Sequence, residues 1–194
     1  MKRIFVLDGH PCVATLSHHL ATSYAEAAEA AGHEVRMLNL SALSFDIDQQ
    51  SNYRDLKPLE PDLAAVIDNL EWADHIVIST PMWWGGLPAR LKGLLDRALL
   101  PGRAFSTRET TALGMPKPML AGRTARMIVT SDTPGWFFRL IYKSALVVQM
   151  KRQVFDLIGL KPSRFTLLAG ASHPKPGVVQ RWLEKAAALG RKAI

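Results

Sequence analysis

Residues 73–99 read "ADHIVISTPMWWGGLPARLKGLLDRAL" and set three elements in a row. His75-Ile76-Val77-Ile78-Ser79, with Ile76-Val77-Ile78 at its centre, reads as a strand buried on both faces. From Leu87 to Ala98, Leu87, Leu91, Leu94 and Leu95 recur at helical spacing, with Pro88 in the first turn. Between them, Pro81-Met82-Trp83-Trp84-Gly85-Gly86 puts two large rings and two glycines in a loop. Such rings need a partner: the protein's own core, a second subunit or a flat ligand. The glycines allow close backbone approach.

The same alternation extends in both directions. Ile4-Phe5-Val6-Leu7 is a first buried strand, followed by the loop Asp8 to Ala14. Thr15 is placed to cap a helix that starts at Leu16, carries Leu20, Tyr24 and Ala28, and ends at Gly32. Glu34 to Leu40 is a second strand. Residues 41–60 are polar and irregular, closed by Pro58 and Pro61. Asp62 to Trp72 is a helix with Leu63, Val66, Ile67 and Leu70 on one face. Residues 99–122 form a long loop rich in Gly, Pro and Thr. A fourth strand covers Arg123 to Thr130, a helix Phe137 to Leu157, a fifth strand Ser163 to Leu168, and a final helix Val178 to Ala193. Five strands alternating with helices predict one α/β domain over residues 1–194, a parallel sheet covered on both faces with right-handed crossovers.

Ligands of such sheets gather outside the carboxyl ends of the strands, at the switch in strand order. Three loops meet there: 8–15, 80–87 and 131–137. The first enters a helix N-terminus, where free N–H groups and the helix dipole favour an anion, and His10, Thr15 and Ser17 add donors. It lacks G-x-G-x-x-G and the P-loop lysine, so Thr15 is equally a simple cap and His10 equally a turn residue. The second suits a planar apolar cofactor lying along its backbone. Adjacent side chains diverge, so one tryptophan is expected at the ligand and the other in the core. The third, Thr130-Ser131-Asp132-Thr133-Pro134-Gly135-Trp136, offers hydroxyls and a ring, or an ordinary turn.

Composition excludes several classes. The chain of 194 residues carries a net charge of +7, but its basic residues are scattered, which argues against a nucleic-acid reader. No apolar run reaches the roughly 18 residues of a membrane span. The initial run Ile4 to Leu7 is shorter than the roughly 7–15 residues of a signal h-region, so a cytoplasmic protein is expected. Cys12 is the single cysteine, which excludes a disulfide framework and a multi-cysteine metal site. His18 and His19 diverge by about 100° on a helix, so no shared metal is expected. Neither H-E-x-x-H nor G-x-S-x-G occurs, and Cys12 as nucleophile lacks an evident base.

The motifs "ADHIVISTPMWWGGLPARLKGLLDRAL" and "GHPCVATLS" (residues 9–17) resemble those of the flavodoxin-like NAD(P)H:quinone oxidoreductases of the DT-diaphorase and modulator-of-drug-activity type. The resemblance covers roughly residues 2–170. It implies a flavodoxin-like doubly wound sheet with strand order 2-1-3-4-5. It also implies a flavin, FMN or alternatively FAD, with NADPH or NADH as donor and a quinone as acceptor in a ping-pong exchange. By position, His10, Thr15, Leu16 and Ser17 would hold the phosphate and neighbouring chain. Pro81, Met82, Trp83 and Trp84 would line the ring, Gly85 would admit it, and Thr130, Ser131 and Asp132 would border its other edge. Relatives are usually homodimers with the site at the interface. Alternative roles in the family are an ancillary subunit of a potassium efflux transporter and an azo or nitro reductase. One departure stands out. Where relatives carry T-T-G-G and then a tyrosine and a histidine, this chain has Thr130-Ser131-Asp132-Thr133 and then Phe137 and Phe138, with no histidine between His75 and His173. No protein acid or base is therefore assigned, and the hydride chemistry falls to the flavin.

Overall fold

The computed structural model describes residues 1–48 and 57–194. Its strands are β1 (Arg3–Asp8), β2 (Glu34–Asn39), β3 (His75–Pro81), β4 (Phe105–Thr110), β5 (Pro116–Pro118), β6 (Thr124–Ser131) and β7 (Ser163–Ala169). Five of them form one parallel sheet in the order β2-β1-β3-β6-β7. With the separate β4–β5 hairpin set aside, this is the order 2-1-3-4-5. The chain leaves β1 toward β2 and returns to β3 on its other side, so the switch point lies between β1 and β3.

The central strands carry continuous apolar runs, residues 4–7, 76–78 and 127–129, because both faces are covered, and period-two alternation sorts these residues. Ile4, Val6, Val77 and Ile128 pack under α1 (Leu16–Ala30), together with Leu20, Tyr24 and Ala28. Phe5, Leu7, Ile76, Ile78 and Met127 pack on the other face with Leu63 and Val66 of α2 (Pro61–Trp72) and Leu91 and Leu94 of α3 (Ala89–Ala98). Helix α1 ends as expected at Gly32 (φ +82°). The N–H groups of Gly32 and His33 donate to Glu29 O and Ala28 O at 2.9 and 3.1 Å, closing a Schellman cap. Pro88 is the N-cap of α3 rather than a residue of its first turn.

Two further expectations are corrected. The stretch 99–122 is not a plain loop, for it contains the antiparallel β4–β5 hairpin. Most of β4 is exposed, and its register shifts between Ser106 and Thr110, so no alternation marks it. The helix expected over 137–157 is broken. Helix α4 (Gly135–Leu140) stops before Lys143 and Ser144, which are left-handed at φ +50° and +53°. Helix α5 (Ala145–Gln149) then runs through a π-helical stretch, Met150–Phe155, into the short α6 (Asp156–Ile158). The core residues Leu146, Met150, Phe155 and Ile158 explain the widening. Phe155 comes one residue late for an α-helical stripe, and the wider turn keeps it buried. The last helix, α7 (Val178–Lys192), covers the α1 face. The irregular reading of residues 49–56 lies outside the described residues.

Candidate functional site

The register brings the three loops to one end of the sheet. Asp8 pairs with Ser79, Pro81 with Thr130, and Ser131 with Ala169.

The loop after β3 is a tight turn. Trp83 N donates to Gly86 O at 3.0 Å, and Gly86 N donates to Trp83 O at 2.9 Å. Trp84 (φ +50°) and Gly85 (φ +76°) are both left-handed, the geometry of a type I′ turn. Glycine takes that conformation freely, whereas a bulky residue pays roughly 1–2 kcal/mol. Pairing on either side holds the turn, with Met82 N donating to Thr130 O at 2.8 Å. Neither tryptophan enters the core, which corrects the expectation that one would. Trp84 is fully exposed; Trp83 is half-exposed and meets the His10 ring edge-on, with centroids 5.6 Å apart. The turn projects past the strand ends, where no core lies over it.

Between this turn and the loop after β6 lies a cavity of about 640 Å³. Met82, Trp84 and Gly85 bound one side; Ser131, Asp132 and Tyr142 bound the other. Thr130 and Ser131 are buried. Ser131 Oγ accepts from Thr133 N at 3.1 Å, and Ser131 O accepts from Gly170 N at 2.7 Å. Asp132 accepts from Ser172 twice, from N at 2.7 Å and Oγ at 2.5 Å, which holds its carboxyl below the usual range. Asp132 thus ties this loop to the one after β7 as well as bounding the cavity. Tyr142, to which the sequence assigned no role, is among the residues that bound the cavity. Its ring meets Phe137 edge-on at 5.0 Å, and Phe137 meets Trp136 at 5.4 Å.

The loop after β1 leads into α1. Thr15 is the cap, its Oγ1 accepting from His18 N at 3.2 Å. Leu16 packs against the α1 face of the core. Ser17 is buried, its carbonyl accepts from Ser79 Oγ at 2.8 Å, and its own Oγ has no protein partner. His10 Nδ1 accepts from Cys12 N at 3.0 Å, so the neutral ring carries its proton on Nε2, and burial pushes the imidazole down. The same contact takes His10 Nδ1 out of use as a base for Cys12. Buried Asp8 accepts from His10 N at 3.1 Å and lies 3.2 Å from His18 Nδ1; burial pushes its carboxyl up, against these contacts. The anion-favouring helix start and the ring-sized cavity therefore share one end of the sheet. Among the described residues no cluster of His, Cys, Asp or Glu could hold a metal, and no helix is long and apolar enough to cross a membrane.

Known proteins share this arrangement of elements. An FMN-dependent NADH:quinone oxidoreductase of Metamycoplasma arthritidis is 24% identical over 184 residues, which cover 91% of this chain and 90% of that protein. One of the same name from Sinorhizobium medicae is 26% identical over 125 residues, 60% of this chain and only 57% of the relative. The crystal structure of Smu.1420 from Streptococcus mutans matches with a TM-score of 0.82 at 26% identity, over 98% of this chain and 99% of that one. The family model described as flavodoxin-like fold matches residues 2–189, and the chain belongs to that family.

Proposed function

We propose that the chain is an NAD(P)H:quinone oxidoreductase that works with bound FMN. The observation that carries this reading is the cavity of about 640 Å³ at the same end of the sheet as a helix start whose Ser17 Oγ is buried and unpartnered. That volume lies within the roughly 300–1,000 Å³ of small-molecule sites. A flat ring with an anionic tail matches the two halves of the site, and FMN-dependent relatives favour FMN over FAD.

Bound flavin supplies the hydride chemistry. The chain's residues position it. The first turn of α1, with Ser17 and His10, holds the phosphate through free N–H groups and the helix dipole. Met82, Trp83 and Trp84 border the ring, Gly85 lets the backbone approach, and Pro81 fixes the start of the turn. Thr130, Ser131 and Asp132 line the opposite edge. Loop N–H groups on that side would offer donors to the ring's polar edge. The open side at Trp84 and Tyr142 would admit the nicotinamide donor and the quinone in turn, which makes ping-pong kinetics the expected pattern. The net charge of +7 favours NADPH over NADH.

A second copy of the chain packs on the exposed Trp136, Leu140 and Ile141 and borders Trp84 without closing the cavity. Light scattering on the purified protein tests this, and a monomer overturns it. The enzyme reading is tested by the spectrum of the purified protein. An oxidised flavin spectrum should bleach with NADPH under anaerobic conditions and return with a quinone. Protein that stays colourless after FMN is supplied overturns the reading. Return with an azo dye but not a quinone moves the acceptor to azo compounds.

A further inference from the structure

Asp8 closes β1 with only 1% of its surface exposed. It lies beneath the loop and helix start that the flavin reading gives to a phosphate, where a second negative charge would repel the ligand. Buried charges persist where they are paired, and Asp8 is paired on both oxygens. His10 N donates to Oδ1 and the His18 imidazole meets Oδ2. With Asp8 ionised, His18 Nδ1–H is the donor, so the ring is held in one orientation and Nε2 is its remaining polar atom.

His18 is the third residue of α1, and a third of its side chain is exposed. Its backbone N–H is already taken by Thr15 Oγ1. What the first turn still offers an anion is the N–H of Leu16 and Ser17, the unpartnered Ser17 Oγ, and the His18 ring. His19 does not duplicate it. Consecutive residues diverge by about 100° on a helix, and the two rings meet edge-on at 5.8 Å. His10, its Nδ1 engaged by Cys12 N, keeps only Nε2–H for the ligand and is not in contact with Asp8 through its ring.

We infer that His18 is a phosphate-binding residue of this site and Asp8 its positioning residue, an assignment that rests on the flavin reading. With Nδ1 on the Asp8 carboxylate and Nε2 turned to a phosphate oxygen, the His18 ring stands between the two acids, and the phosphate is not set against Asp8 directly. Asp8 acts through His18 and does not touch the ligand.

Riboflavin, which lacks the phosphate, supplies the control. Apoprotein is titrated with FMN and with riboflavin, following the quenching of flavin fluorescence. His18→Gln should weaken FMN about tenfold or more, as expected for losing a charged hydrogen bond, and leave riboflavin affinity unchanged. His18→Arg keeps a cation within reach of Asp8 and should retain most of the FMN affinity. Asp8→Asn should weaken FMN by a smaller factor, again sparing riboflavin. Unchanged FMN affinity in His18→Gln overturns the inference, as does an equal loss of both flavins, which would mark a purely structural role. If the wild-type protein binds neither flavin, the flavin reading falls and this inference with it. If wild type binds FMN and His18→Gln binds it equally, the inference alone falls.

Discussion

The two ends of the central sheet bury polar groups to different effect. At the amino end, His75 is wholly buried, its Nδ1 is 2.6 Å from Thr124 Oγ1, and its ring stacks on Tyr24 at 6.3 Å. Buried Arg126 donates to Thr166 Oγ1 at 2.7 Å and to the Ile194 carbonyl. Burial, with Lys2, Arg126 and Arg164 nearby, pushes the His75 imidazole down to about 3. At the carboxyl end, the perturbed groups sit beside a cavity, under exposed rings and a left-handed tryptophan. A strongly shifted histidine alone therefore does not mark function. Access and strained backbone beside it do.

The amino end should break by losing stability. A Cβ at Gly190 of α7 would stand 2.1 Å from Tyr24 O of α1. Gly190→Val has to part the two helices and should cost about 3 kcal/mol or more, read as a lower midpoint in urea. The FMN affinity of the protein that remains folded should not change. Loss of flavin binding with normal stability would erase the distinction between the ends.

His75 sharpens the same contrast through pH. Its folded value, about 3, lies below its ordinary 6.5, so the unfolded chain binds the extra proton between these values. Stability is full above about 6.5 and falls on acidification toward 3, by up to about 1.4 kcal/mol per pH unit. Asp74, held near 2 by Arg3, loses its contribution only below the ordinary carboxylate range, so it does not confuse the interval from pH 6.5 to 4.5. His75→Gln should flatten the slope of melting temperature in that interval. An equal slope in the variant removes His75 as its source.

Trp84 should show the opposite behaviour. Replacing it with glycine relieves a left-handed, fully exposed tryptophan, so stability should hold within about 1 kcal/mol or rise slightly. NADPH oxidation with a quinone should nevertheless fall, because the ring bounds the cavity. A variant that is as stable and as active as wild type would leave Trp84 a surface residue.

The contrast also explains what the sequence disclosed. The strands were legible because Ile4 to Leu7 and Ile76 to Ile78 are short continuous apolar runs, as a sheet covered on both faces needs. The site loops were legible because unusual compositions fell at the strand ends. The β4–β5 hairpin was not, since its exposed strand has no face to alternate. Nor was the break before α5, where Lys143 and Ser144 take a left-handed conformation with no glycine to announce it. Asp8 and His18 are ten residues apart, on a strand and a helix, and only the packing of α1 on the sheet brings them together. The fate of the two tryptophans depended on turn type, which follows from the hydrogen bonds of Trp83 and Gly86 rather than from residue identity alone.

The smallest effect should come from the tie between the loops after β6 and β7. Asp132 is exposed, and its carboxyl is held down first by the Ser172 hydroxyl and then by the Ser172 N–H. Because the folded value is depressed, any stability from this contact is present above the ordinary carboxylate range and disappears as pH falls through the folded value. Exposed contacts of this kind contribute little to stability. Ser172→Ala removes the hydroxyl and keeps the N–H. The Asp132 carboxyl should therefore rise only part of the way to its ordinary value, with melting temperature nearly unchanged, as read by carbon NMR of the side chain through an acid titration. If Asp132 also borders the flavin, FMN should shift that titration in wild type and in Ser172→Ala alike. A titration that FMN leaves untouched in both proteins would make Asp132 a loop tie and nothing more, and would move the boundary of the functional end back to Ser131.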